Sequence, residues 1–310
     1  RMNDDSHLPG RRRFGWYRPK PNGVMDHSII ARPLEEDNWR EFRHYTRVVE
    51  YLRPYMVDYL ALADDFEAVE RAEMEIGEAL SRQFEVGLVA IPAGVDANAN
   101  AQRRIGNFLG AASAFRDRTK TRLLAEFGKE SDEASAFEAA TNHWFDTSLA
   151  YRCLCQLRNY AQHQELPISF VPINAERGAD GAMRARIRLQ LYPATLAASS
   201  RISKKVRAEL KTLGTDPLDL SVFAAEYMKA HNGLMALVLG LYAPRLEEMA
   251  HYAAAIYRLF EIPHDVVPVI WEGEDPEATP SSQRRAIMMG FDELLRAFAL
   301  RERLSLSAAQ

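Results

Sequence analysis

The spacing of apolar residues changes at Pro167, and this change divides the chain into two kinds of secondary structure. Before it, Thr141–Pro167 carries apolar side chains every three or four residues, which predicts a helix with one buried face. After it, apolar and polar residues alternate, as is typical of β-strands. The residue before a proline avoids the α-helical region, so we expect the helix to end near Glu165 or Leu166. Its predicted buried face comprises Phe145, Leu149, Cys153, Leu157 and Tyr160.

The sequence before this segment has the same helical periodicity. Pro54 is expected to kink or divide the first of these helices, because a proline removes one backbone hydrogen bond. The stretch 90–95, which contains a proline and a glycine, predicts a loop, and Asp96 would cap the helix that follows. Gly128 should close that helix at the C′ position. The predicted helices are 37–62, capped by Asp37, 64–82 and 98–127.

After Pro167, the segments Ile168–Asn174 and Met183–Tyr192 flank a glycine-rich turn, which predicts a β-hairpin. The second strand alternates, with apolar side chains on one face and three arginines on the other. Such a face is either a solvated edge or a strip that contacts RNA phosphates, and its closeness in sequence to His163 adds weight to the second interpretation. The three arginines are Arg184, Arg186 and Arg188.

These patterns predict a mainly α fold with three regions. Residues 1–31 would be a flexible basic and aromatic arm, which either binds single-stranded RNA or packs on the protein itself or a dimer mate. Residues 32–166 would form a helical bundle. Residues 167–310 would add the hairpin and further helices, an α+β remainder packed on the bundle. The expected later elements are helices at 204–213, 217–242, 244–260 and 284–304, and a strand at 266–271.

Composition narrows the functional classes. A net charge of -4 argues against a protein that coats nucleic acid over its whole surface, but it leaves room for a local basic groove. Cys153 and Cys155 are two residues apart on one predicted helix, where they diverge, so neither a disulfide nor a metal clip is expected. No apolar run reaches the ~20 residues of a membrane span. We therefore expect a soluble cytoplasmic protein without a cofactor or metal.

The end of the predicted helix carries Arg158, Asn159 and His163. Asn159 and His163 are four residues apart and share a face, so the amide can orient the imidazole. A guanidinium binds phosphate oxygens bidentately, and a histidine can act as base or acid near neutral pH. Because Arg158 and His163 point about 140° apart on an ideal helix, two copies across a two-fold axis would be needed to surround one phosphate. Both residues also have a structural interpretation, as an ion pair and as a favourable cation at a helix C-terminus.

The motif Arg158-Asn159-x-x-x-His163, at the end of an amphipathic helix, resembles the Arg-x4–6-His motif of HEPN domains. A polar residue directly after the arginine is typical of that group. The pattern from Tyr151 to Pro167 also resembles uncharacterised bacterial proteins with a HEPN-like core, and the resemblance covers roughly Asn98–Pro167. It implies a four-helix unit that dimerises to build a composite ribonuclease site. Members of this group commonly act as toxins or as effectors of antiviral defence.

The resemblance also implies roles for individual residues. Arg158 would hold the scissile phosphate, His163 would be the general acid or base, and Asn159 would position one of them. Asp117 is the candidate for the additional acidic residue that many HEPN sites take from a neighbouring helix. HEPN toxins that a nucleotidyltransferase partner silences usually have a tyrosine after the histidine. Gln164 and Glu165 stand there instead, which argues against that form of regulation. The expected partners are RNA, a second copy of the chain and a regulatory protein. The leading hypothesis is a metal-independent endoribonuclease, and its competitor is a non-catalytic scaffold for dimerisation or RNA binding.

Overall fold

A computed structural model describes residues 12–19, 25–85, 91–161, 166, 168–179, 181–272 and 285–308. These residues form eight helices: α1 (Glu36–Glu85), α2 (Ile91–Phe127), α3 (Asp132–Thr147), α4 (Leu149–Ala161), α5 (Pro193–Ala198), α6 (Lys204–Thr212), α7 (Leu220–Leu259) and α8 (Phe291–Ala308). The strands are β1 (Arg12–Pro19), β2 (Met25–Pro33), β3 (Ile168–Arg177), β4 (Met183–Leu191), β5 (Leu218–Asp219), β6 (Val267–Glu272) and β7 (Arg285–Met288). All strand pairings are antiparallel. The predicted mainly α class is confirmed.

The chain divides into two compact units. One contains Arg1–Pro54 together with Leu239–Gln310, and the other is the continuous stretch Tyr55–Val238. Helices α1 and α7 each contribute residues to both units. The boundary that we expected between residues 166 and 167 therefore falls within the range of the second unit. Pro54 and Val238, at the ends of the two ranges, lie inside α1 and α7.

The first unit contains a four-stranded sheet in the order β2-β1-β6-β7. Strands β1 and β2 fall within the expected flexible arm and form a hairpin in this sheet, which corresponds to the alternative in which the arm packs on the protein itself. Their basic and aromatic residues are used for packing: Arg12 is buried, its Nε donates to Glu272 at 3.1 Å, and its guanidinium lies 3.9 Å from the Trp39 ring. Phe14 is buried against Phe260, with 4.6 Å between ring centroids. The rest of the expected arm, 1–11 and 20–24, lies outside the described residues.

Gly15 marks the tightest packing in this sheet. A Cβ atom there would collide with the Ser28 carbonyl oxygen and lie 2.5 Å from Nε1 of Trp271, which donates a hydrogen bond to that same oxygen at 3.1 Å. We expect Gly15→Ala to lower the free energy of unfolding by about 2–4 kcal/mol, through overpacking and loss of this hydrogen bond. Urea unfolding followed by circular dichroism measures the change.

The control for this prediction is Gly106→Ala in α2. A Cβ at Gly106 meets no atom within 4 Å, so alanine should raise the free energy of unfolding by about 0.5–1 kcal/mol through helix propensity alone. Unchanged stability in Gly15→Ala would contradict the packing that the structure shows around Trp271.

Two helices are longer than the sequence indicated. Helix α1 continues through Pro54 and across the expected break at Asp64, because its buried side chains keep their helical spacing there: Leu62, Val69, Ala72 and Ile76. Helix α2 begins at Ile91 rather than after Asp96, with Pro92 in its first turn, where the missing N–H is not needed. The predicted helix end is confirmed: Gly128 has φ +98° and its N–H donates to the Leu124 carbonyl at 3.1 Å.

The helix expected over Thr141–Pro167 is divided at Ser148. The N–H of Ser148 donates to the Trp144 carbonyl at 3.0 Å and closes α3, while its Oγ accepts from the Tyr151 N–H at 3.0 Å and opens α4. One serine thus caps both helices, which apolar spacing alone does not predict. Phe145 consequently lies on the surface rather than on the buried face. The expected helix end at Glu165 or Leu166 cannot be followed from α4, because residues 162–165 lie outside the described part of the chain.

The predicted hairpin is confirmed as the pair β3 and β4, within a sheet ordered β3-β4-β5. On β4 the predicted alternation holds: Ile187, Leu189 and Leu191 are buried, and the three arginines are exposed. Pro244 lies inside α7 and does not begin a new helix as expected. The predicted strand at 266–271 is confirmed as β6. The last helix was expected from 284, but Arg285–Met288 pairs with β6 as β7 and the helix begins at Phe291. Within the described residues, no helix combines the length and apolar character that a bilayer crossing requires.

Candidate functional site

Arg158 and Asn159 lie together in the last turn of α4. This helix buries the face that carries Cys153, Leu157 and Tyr160, so the two polar residues are left on the other side. Asn159 is exposed and Arg158 is half-buried, and Arg158 Nη1 donates to Asn159 Oδ1 at 3.3 Å. His163 lies outside the described residues, so its position relative to this pair stays a prediction.

Asp117 lies on α2, where that helix packs against α4. Its carboxylate is exposed, accepts from Arg116 Nε at 2.9 Å and from Ser113 Oγ at 3.3 Å. Arg116 in turn reaches α4, with its Nη1 3.2 Å from Cys155 Sγ. Asn159 is four residues after Cys155, on the same face of α4 and one turn further along. The structure therefore connects the Asp117 cluster to α4 through the contact between Arg116 and Cys155.

A buried network beneath this surface was not recognised in the sequence. Tyr227 and His231, on α7, are fully buried, and the Tyr227 hydroxyl lies 3.6 Å from Cys155 Sγ. Burial raises the pKa of the Cys155 thiol and of the Tyr227 hydroxyl, so both groups are uncharged at neutral pH. The network joins α2, α4 and α7 through Arg116, Cys155 and Tyr227. It fixes the orientation of the helix that presents Arg158 and Asn159.

His231 completes the buried network through its backbone contact. Its Nδ1 lies 2.8 Å from the Tyr227 carbonyl oxygen, and the two rings meet edge to face with centroids 4.4 Å apart. Burial lowers the pKa of His231 to about 4. An i, i+4 pair of Tyr and His on an apolar helix is the only sequence signal for this contact, and it is equally typical of an ordinary core.

This pKa makes stability depend on pH. Between pH 6.5 and about 4 the unfolded chain binds a proton at His231 that the folded chain does not, so stability falls as the pH is lowered. We expect a loss of about 3 kcal/mol between pH 7 and pH 4 from this residue. Urea titrations of wild type and His231→Gln across this range measure it: the variant should lose about 3 kcal/mol less than wild type. Parallel pH curves for the two proteins would contradict a buried neutral histidine.

The three arginines of β4 lie along a groove of about 680 Å³ that this strand forms with the second half of α1. The helix covers the strand edge closely: the Ala185 N–H donates to Ser81 Oγ at 2.7 Å and the Leu189 N–H donates to Glu73 Oε1 at 2.8 Å. Gly77 permits this approach, since a Cβ there would lie 2.6 Å from the Ala185 carbonyl oxygen. Its lining combines arginine side chains with the carboxylates of Glu73 and Glu78.

The arginines of this groove differ in whether a carboxylate compensates their charge. Arg188 Nε lies 3.5 Å from Asp219, so its charge is partly compensated. Arg186 forms no ion pair within the described part of the chain, and Arg82 of α1 faces the same groove. The structure thus places the predicted arginine strip in a concave site shared with α1, whereas Arg158 and Asn159 lie beside α2. All three arginine side chains are exposed, so the solvated edge and the phosphate-contacting strip both stay predictions.

Comparison with the models of known protein families, with curated proteins and with solved structures gave no significant match.

Proposed function

We propose that this chain is a HEPN-like, metal-independent endoribonuclease that acts through Arg158, Asn159 and His163. The observation that supports it is the position of the first two residues of the motif: Asn159 is exposed and Arg158 is half-buried, on a helix whose other face is buried. A catalytic pair must reach substrate, and this exposure meets that requirement. The proposal includes a homodimer and a role in antiviral defence or as a toxin.

In this proposal the chemistry is attack by the RNA 2′-hydroxyl. His163 takes the proton of that hydroxyl, the O2′–P bond forms and the O5′–P bond breaks. A second copy of His163, protonated and contributed by the dimer mate, donates a proton to the leaving 5′ oxygen. Arg158 holds the non-bridging phosphate oxygens and stabilises their added charge. Asn159 positions Arg158, to which it is already hydrogen-bonded, and Asp117 orders the neighbouring helix surface through Arg116.

The arginine groove supplies the affinity for RNA in this proposal. Arg184, Arg186 and Arg188 occupy alternate positions on one strand, so their guanidinium groups follow a line that can contact successive phosphates. The same groove also favours a second candidate, a non-catalytic RNA-binding scaffold, because phosphate contacts of this kind require no histidine. The two candidates differ in one respect only: whether bound RNA is cut.

The experiment is to incubate the purified protein with total and synthetic RNA in the presence of EDTA. Wild type is compared with the Arg158→Ala/His163→Ala double variant and with His251→Ala. His251 is an exposed histidine on α7 whose Nδ1 contacts the Glu247 carbonyl at 2.8 Å, so its removal controls for the loss of a surface imidazole. We expect wild type and His251→Ala to leave 2′,3′-cyclic phosphate ends, and the double variant to leave RNA intact.

Two results would contradict the proposal. Equal cleavage by wild type and the double variant would place the activity elsewhere in the chain or in a contaminant. Binding of RNA without cleavage by any of the proteins, weakened by replacing Arg184, Arg186 and Arg188 with alanine, would favour the scaffold.

A further inference from the structure

A small pocket of about 260 Å³ lies in the first unit, between the first part of α1 and the second part of α7. Neither the proposed ribonuclease site nor the arginine groove uses any of its residues. Its lining is almost entirely aromatic and cationic, with one carboxylate. The side chains concerned are His44, Tyr45, Arg47, Tyr51, Arg245 and Glu248.

The aromatic wall of the pocket is held in place from behind. Tyr45 stacks on Tyr252 of α7, with ring centroids 4.7 Å apart and ring planes within 23° of parallel. His44 meets the same ring edge to face at 5.2 Å. Tyr51, two turns further along α1, keeps 37% of its surface exposed. Tyr45 is thus fixed by its stacking on Tyr252, while part of the Tyr51 ring is exposed to a ligand.

Arg47 provides the cationic group best placed for an anion. Its guanidinium lies 5.3 Å from the centre of the Tyr51 ring, and a stacked guanidinium keeps the N–H groups at its edge available for a ligand. Arg43, on the same helix, forms an ion pair with Glu50, with 2.8 Å between Nη1 and Oε1. Within the described residues, Arg47 has no carboxylate partner. A second guanidinium, that of Arg245, enters the same pocket from α7.

We propose that this pocket binds a nucleoside monophosphate. Arg47 and Arg245 would hold its phosphate group, since paired guanidinium groups match phosphate oxygens geometrically. The exposed part of the Tyr51 ring would contact the base, and Glu248 would accept hydrogen bonds from the ribose hydroxyls. At about 260 Å³ the pocket lies just below the ~300–1,000 Å³ of most small-molecule sites, so the base of a bound nucleotide would stay partly in contact with solvent, against the exposed Tyr51 ring. This inference does not depend on the ribonuclease proposal.

The test is isothermal titration calorimetry of the full chain with AMP, adenosine and inorganic phosphate. We expect AMP to bind at least about tenfold more tightly than either of the other two, because it alone engages both the guanidinium groups and the tyrosine. Arg47→Ala should weaken AMP binding by about tenfold or more, and Arg245→Gln is a second, independent variant with the same expectation. Arg40→Ala is the matched control: Arg40 is an exposed arginine of α1 that lies outside the pocket and contacts Glu36 at 3.6 Å.

Four results would overturn the proposal. Adenosine binding as tightly as AMP would remove the role of the phosphate, and inorganic phosphate binding as tightly would remove the role of the base. Absence of AMP binding at millimolar concentration, or equal binding by wild type, Arg47→Ala and Arg245→Gln, would exclude the pocket as a nucleotide site. Thermal unfolding of each variant, measured in parallel, separates a lost contact from a lost fold.

Discussion

Replacing Arg158 with alanine is expected to slow RNA cleavage by about 10²–10³-fold, the usual cost of losing one group that stabilises transition-state charge. The free energy of unfolding should change by less than about 0.5 kcal/mol, because Arg158 lies half-exposed in the last turn of α4. Single-turnover cleavage of a fluorescent RNA gives the rate, and urea unfolding gives the stability. The combination of lost activity and kept stability is specific to a residue that touches substrate.

Arg158→Lys refines this prediction. A lysine keeps the positive charge but contacts a phosphate at one point instead of two, so we expect a smaller loss of rate, about tenfold. Cleavage by Arg158→Ala at the wild-type rate would remove Arg158 from the proposed site. A loss of activity that only follows a loss of folded protein would assign Arg158 a structural role instead.

Arg152, in the same helix, should behave in the opposite way. It is buried, its Nη2 donates to Glu209 at 2.6 Å, and its Nη1 donates to the Phe145 carbonyl at 2.5 Å. Arg152→Ala would leave the Glu209 carboxylate and the end of α3 without their donors. We expect a loss of about 3 kcal/mol in the free energy of unfolding, at the lower end of the range for buried ion pairs, because Glu209 keeps some contact with water.

A double-mutant cycle measures this contribution. Arg152→Met, Glu209→Gln and the combined variant are unfolded in urea, and the combined variant should lose less than the sum of the two single losses. Additive losses would show that the two side chains do not interact. Arg152→Ala within about 1 kcal/mol of wild type would contradict the burial of this arginine at the junction of α3, α4 and α6.

The sequence predicted those helices and strands that depend on contacts between residues close together in the chain. The hairpin of β3 and β4, the exposed face of Arg184, Arg186 and Arg188, and the helix end at Gly128 all follow from periodicity or from one backbone conformation. The break at Ser148 was missed because a serine within an apolar periodic segment does not interrupt the pattern. Its capping role appears only when the hydrogen bonds on both sides of it are seen.

Contacts between distant parts of the chain could not be predicted. The first sheet pairs Arg12 with Glu272, and strand pairing at such a separation leaves no periodic signal. The motif Arg158–His163 could be recognised, because its residues are close in sequence. The pocket of Arg47 and Arg245 could not be recognised, because these two residues are about 200 positions apart in the sequence. The same holds for the contact between Cys155 and Tyr227, which are 72 positions apart.

The pairing of β1 with β6 also has a consequence for synthesis on the ribosome. The second unit is one continuous stretch, so all its residues have been made before the first unit can be completed. Strands β1 and β2 must wait for β6, which at ~5–20 residues per second takes roughly 10–50 seconds. During that time the inner edge of β1 has no neighbouring strand, a condition that favours pairing with other chains. Strands β1 and β2 are therefore made long before β6 and reach their final surroundings only after it.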